Sequence, residues 1–139
     1  MLSEFGKFSR KLRIDRDELL IDMAQKLGVK PAFLSAVEFG KKQIPKSWKD
    51  EIAKIYKLDD EQKKQLEESI NRSTKSIKIN LGNRNNEDKD LLFAFVRKLD
   101  VLDTEDKEKI SKVLEEGKYN TIKDEYSLGE ISKHIPRID

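Results

Sequence analysis

Met23-Ala-Gln-Lys-Leu-Gly-Val-Lys-Pro-Ala-Phe-Leu-Ser-Ala-Val-Glu-Phe-Gly-Lys-Lys42 is the stretch that decides the fold. It reads as two short helices joined by a tight turn at Gly28 and followed by a basic exit. The spacing carries the reading. Ala24 precedes Gly28 by four residues, Leu34 follows six later, and Val37 three beyond that. A small residue on the first helix lets the second cross close over it. A glycine at the corner accepts the positive φ that the turn requires. Leu34 and Val37 share one face of the second helix and seat it on a scaffold. Pro31 suits a first helical position, where its missing N–H had no partner anyway. Gly40 is the expected left-handed stop after a helix ending near Phe39.

This is the construction of a helix-turn-helix, whose second helix is presented to the DNA major groove. From about Phe5 to about Leu58 the chain resembles the lambda-repressor-like, or XRE, family of helix-turn-helix regulators. "FGKFSRKLR" looks like the family's basic first helix, and "SAVEFGKKQIP" is similar to its Ser-x-x-Glu-x-Gly-Lys ending followed by proline. The resemblance implies a mainly α fold with a five-helix DNA-binding head. A helical hairpin that binds another protein is the plainer alternative, but the basic exit after Gly40 has no packing purpose.

The flanking periodicity supplies further helices. Leu2, Phe5, Phe8 and Leu12 fall on one side of a helix over about 2–13, leaving Lys7, Arg10, Lys11 and Arg13 wet. Asp15 or Asp17 is the expected cap of the next helix, whose apolar positions are Leu19, Leu20, Met23 and Leu27. Pro45 or Ser47 opens a fourth helix with Trp48, Ile52, Ile55 and Tyr56 at core spacing. The acidic "LDDEQ" starts a fifth, over about 59–71.

Then the period changes. Ile77, Ile79 and Leu81 alternate with Lys78 and Asn80, which predicts one strand closed by Gly82-Asn83. A single strand cannot satisfy its own backbone, so pairing with the same strand of a second copy about a two-fold axis is expected. An extended linker is the alternative. Two amphipathic helices follow, over about 86–99 with Leu91, Leu92, Phe95, Val96 and Leu99, and from Thr104, its expected capped start, to about Gly117 with Ile110, Val113 and Leu114. The expected organisation is therefore a helix-turn-helix domain over 1–72, a strand plus two-helix dimerisation module over 73–118, and a flexible tail over 119–139. Ile77, Ile79, Leu81, Leu92, Phe95 and Val96 are the expected dimer interface.

Composition bounds the function. With 36% hydrophobic and 40% charged residues, 139 residues suit a small helical head with a thinly packed second module. There is no cysteine, so disulfides and thiolate metal sites are excluded. The lone His134 has no ligand company, no catalytic constellation stands out, and neither enzyme activity, metal nor cofactor is expected. No apolar run approaches the roughly 20 residues that span a bilayer, and the start of the chain lacks a signal peptide's apolar centre. A cytoplasmic protein without membrane partners is the expectation. The net charge of +2 hides an asymmetry: residues 1–57 hold 13 Lys/Arg against 8 Asp/Glu, and residues 58–139 hold 16 against 19. The basic excess sits on the segment that resembles a DNA reader.

Matched onto the family motif, Lys30, Pro31, Ala32, Ser35 and Ala36 face the bases. Lys30 can donate to guanine, and Ala32 or Ala36 can touch a thymine methyl. With so few hydrogen-bonding arms, specificity leans on methyl contacts and DNA shape. Phe33 is divided between the groove and the core. Lys41 and Lys42, together with Arg10, Arg13 and Arg16, are the expected phosphate contacts, and the N-termini of the second and third helices add amide donors. The expected function is a sequence-specific DNA-binding transcriptional regulator, a repressor acting as a homodimer on a palindromic operator. The alternatives are an antitoxin that represses its own operon while masking a toxin, and an adaptor that binds protein and no longer DNA.

Overall fold

The computed structural model describes residues 1–116; the expected tail, 119–139, and His134 lie outside them. The described chain is mainly helical, with no strand among those residues. Seven α-helices run in order: α1 Glu4–Asp15, α2 Leu20–Leu27, α3 Pro31–Glu38, α4 Trp48–Ile55, α5 Asp60–Ser73, α6 Asn86–Lys98 and α7 Thr104–Glu115. A 3-10 turn, Leu99–Val101, extends α6.

Local chemistry explains most of the boundaries. The Ser3 hydroxyl accepts from the Gly6 N–H at 3.0 Å and caps α1. Asp59 and Gln62 exchange side-chain-to-backbone bonds of 2.8 and 3.1 Å, a reciprocal cap that starts α5. Asn85 opens α6 and Asp103 opens α7, each accepting an amide three residues on at 2.8 Å. Two expected caps are corrected. Thr104 is the first residue inside α7 and not its cap. Neither Asp15 nor Asp17 caps α2, because Asp15 ends α1 and Asp17 turns left-handed at φ +52°. Leu19 takes that position, its N–H donated to the Asp22 carboxylate at 2.8 Å from inside the helix.

The chain divides into two units, Met1–Ile79 and a second beginning at Asn80. In the first unit α1 packs on α5 and α3, α2 on α3 and α4, and α4 on α5. Their shared core contains Phe5, Leu12, Met23, Leu27, Leu34, Val37, Trp48, Ile52, Tyr56 and Leu66. Leu19, expected among the apolar positions of α2, is instead exposed. Ring contacts stiffen the centre: Trp48 lies 6.1 Å from Phe5 and nearly perpendicular to Phe33 at 6.0 Å.

The crossing of α1 and α3 is close because Gly6 has no side chain. A Cβ there would collide with the backbone carbonyl of Glu38. Since backbone cannot step aside as a flexible side chain does, Gly6→Ala is expected to cost about 1–3 kcal/mol or more by overpacking. A urea midpoint unchanged from the parent would refute the close crossing.

In the second unit the helices are amphipathic but contain no buried residue. Ile77 and Ile79, the start of the expected strand, group with the first unit and carry no ladder. The reason is physical: the described chain offers no second strand to satisfy that backbone. No helix among the described residues is long and apolar enough to cross a membrane.

Candidate nucleic-acid interface

Ala24 and Gly28 position α3 by closing the turn before it. Gly28 is left-handed at φ +70°, and the Val29 N–H donates back to the Ala24 carbonyl at 2.9 Å, finishing α2 with a reversed turn. Ala24 is buried at this crossing. From there Leu34 and Val37, 0% and 1% exposed, pin one side of α3 to the core. Gly40, at φ +74°, ends the helix, and the Lys41 N–H returns to the Ala36 carbonyl at 2.8 Å.

Glu38 fastens the far end of α3 to α1. Its carboxylate accepts from the Ser9 hydroxyl at 2.6 Å and is clasped by both guanidinium nitrogens of Arg13. Its backbone carbonyl accepts from the Ser3 N–H and the Ser3 hydroxyl, both at 2.9 Å. Arg13 and Glu38 are 6% and 3% exposed. This corrects the expectation that Arg13 stays wet and contacts phosphate. Phe5, Ser9 and Arg13 recur every four residues on the side of α1 that meets α3, and the buried carboxylate supplies the charge that lets an arginine sit there.

With that side fixed, the opposite side of α3 faces outward. Lys30, Pro31 and Ala32 are exposed, and Ser35 and Ala36 are half-buried. Phe33 settles against Trp48 and belongs to the core. The first turn of α3 is unlike that of every other described helix. It has no acidic residue and no side-chain cap, only Pro31 at its start. The other six each carry an acidic side chain in the first turn. The N-terminus of α2, expected to offer amides to phosphate, already holds the Asp22 carboxylate.

The cations sort into two groups. Arg10, Lys41 and Lys42 are exposed and form no ion pair among the described residues. Arg16 is bound to its own head: it donates to the Tyr56 carbonyl at 3.1 Å and lies 5.4 Å over the Tyr56 ring. Sequence reasoning missed Lys75, whose ammonium donates to the Gly40 carbonyl at 3.0 Å, beside Lys41 and Lys42. Thirty-five residues separate it from that turn. The only local hint was its place next to the end of α5, where Ser73 accepts from the Phe5 N–H at 2.9 Å.

Comparison with protein-family models, curated proteins and solved structures finds no match to this chain. Function therefore rests on the site itself.

A second polar cluster braces the side of the head. The Tyr56 hydroxyl donates to Glu18 at 2.7 Å, and Lys26 pairs with the same carboxylate. Burial works to raise the Glu18 pKa, but the hydrogen bonds from Lys26 and Tyr56, with the charges of Lys26 and Arg16, outweigh it and hold the carboxyl below the usual range. Burial, and then the Glu18 carboxylate, push the Tyr56 hydroxyl well up, so it stays a donor. A depressed carboxyl contributes stability above the ordinary Glu pKa of about 4.3 and loses it as pH falls through the lower folded value. Glu18→Gln is accordingly expected to flatten the acid limb of stability against pH, by a modest amount because the group is partly solvated. Denaturant midpoints at pH 7 and at acid pH check this; identical differences from the parent at both would refute it.

Proposed function

We propose that this protein is a sequence-specific DNA-binding transcriptional regulator, a repressor that acts as a homodimer, with α3 as the helix that enters the major groove. The first unit is then a five-helix head of the lambda-repressor-like kind. The observation that carries the reading is the outward side of α3: an uncapped N-terminus without acidic residues, small side chains beside it, and a lysine rim at its exit. An open helix N-terminus favours an acceptor from outside the protein, and phosphate oxygens or base edges are such acceptors.

In this arrangement Ala32 and Ala36 approach thymine methyls, Lys30 and Ser35 supply the polar contacts, and Pro31 starts the helix without a competing donor. Lys41, Lys42 and Lys75 hold phosphates around the exit, and Arg10 adds charge from α1. Two heads bound about one helical turn apart, roughly 34 Å, read a palindrome. The dimer brings its second units together, and the segment containing Ile77, Ile79 and Leu81 pairs as a strand across the two-fold.

The test is retardation of random-sequence duplex DNA at low salt, followed by selection of bound sequences. Retardation, and recovery of a palindrome, are expected; a chain that leaves duplex DNA free at low salt is not a DNA reader. With about six phosphates engaged per dimer, affinity falls on the order of a thousandfold between 50 and 200 mM salt. Lys75→Ala is expected to weaken all sequences alike and to lower the salt slope by about 0.9 for each phosphate that the ammonium no longer neutralises. An unchanged slope would remove Lys75 from the interface.

A further inference from the structure

We propose that α6 is the contact helix of the dimer, lying antiparallel to α6 of a second copy so that Glu87 of each chain meets Lys98 of the other. The proposal rests on the homodimer reading above and specifies the pairing.

The first observation is an apolar stripe left largely open among the described residues. Leu91, Phe95, Val96 and Leu99 recur at three- and four-residue steps on one side of the helix, and they are 70%, 42%, 68% and 43% exposed. No residue of α6 is buried. A side this apolar on a charged chain is a contact surface.

The second observation says what covers it. The helix starts acidic with Glu87 and Asp88 and ends basic with Arg97 and Lys98. Reversed end for end, it is its own electrostatic complement. Glu87 and Lys98 stand eleven residues apart, about three full turns, so they edge the same flank of the stripe. Across a two-fold axis perpendicular to the helices, each flank faces the same flank of the partner at the opposite end. Glu87 then lies near Lys98 of the second copy, and Leu91 lies opposite its Phe95. A parallel pair would bring the two acidic starts to one end and the two basic ends to the other, with no Glu87–Lys98 contact. Neither residue has an ion-pair partner among the described residues, so both are available for the contact. A lasting interface removes about 800 Å² per partner, more than this helix offers alone, and Val113 and Leu114 of α7 are further exposed apolar side chains in the same unit.

Sedimentation equilibrium on the full chain tests this with Glu87→Lys, Lys98→Glu and their equimolar mixture. Each variant alone juxtaposes two like-charge pairs, and its dimer is expected to weaken about tenfold. The mixture restores opposite charges at both ends and should associate like the parent, which also shows that both variants fold. Variants that dimerise as well as the parent, or a mixture that stays as weak as its components, would overturn the antiparallel pairing and leave the homodimer standing. A parent chain that remains monomeric at high micromolar concentration would overturn the homodimer itself.

Discussion

Arg13→Ala should destabilise the head by about 3–5 kcal/mol, because it leaves the Glu38 carboxylate buried beside only one remaining donor, Ser9. Against a total stability of roughly 5–15 kcal/mol for an ordinary domain, that is a large share. Glu38→Ala should do similar damage by stranding the guanidinium, and it also loosens the end of α3 that leads into Lys41 and Lys42. The double change Arg13→Met with Glu38→Leu removes both charges and fills the space with apolar groups. It is expected to be much less harmful than either single change. Urea midpoints of the three variants check this. A loss below about 1 kcal/mol for Arg13→Ala would mean the pair is solvated, and Arg13 would return to the phosphate-contacting set.

Ala32→Glu should separate binding from stability, moving the two in opposite directions. Ala32 is exposed at the second position of α3, in a first turn that holds no acidic residue. A glutamate there interacts favourably with the positive end of the helix and should stabilise the head by about 0.3–1 kcal/mol. In the proposed DNA complex the same carboxylate would fill the open N-terminus, replace the proposed methyl contact and face acceptor-rich base edges and phosphates. DNA affinity should fall about a hundredfold, in line with the 1–3 kcal/mol that one good base contact is worth. Thermal melting and fluorescence anisotropy on the same preparation measure both. A variant that melts no lower and binds DNA as well as the parent would take α3 out of the groove.

The lysines at the exit of α3 and the head's own ion pairs show why charge alone is a poor guide to an interface. Arg10, Arg13 and Arg16 stand at three-residue intervals on or beside α1, all of one sign. The structure exposes the first, buries the second against Glu38 and folds the third over Tyr56. Only the partners Glu38 of α3 and Tyr56, just past the end of α4, distinguish them. Lys75, with no motif around it, arrives at the Gly40 turn because α5 runs back along α1 and returns the chain to that corner.

Local rules were enough for the helices, their approximate limits, the left-handed turns at Gly28 and Gly40, and the core positions Leu34, Val37, Trp48 and Ile52. Those depend on contacts within a few residues: hydrogen bonding along one helix, steric limits on φ, and the 3.6-residue repeat of apolar side chains. Tertiary structure decided which cations are free, why Gly6 is a glycine, and where Leu19 and Phe33 point. Each of these turns on an atom supplied by a distant segment, and a one-dimensional pattern assigns a residue to a side of its helix without saying what that side will meet.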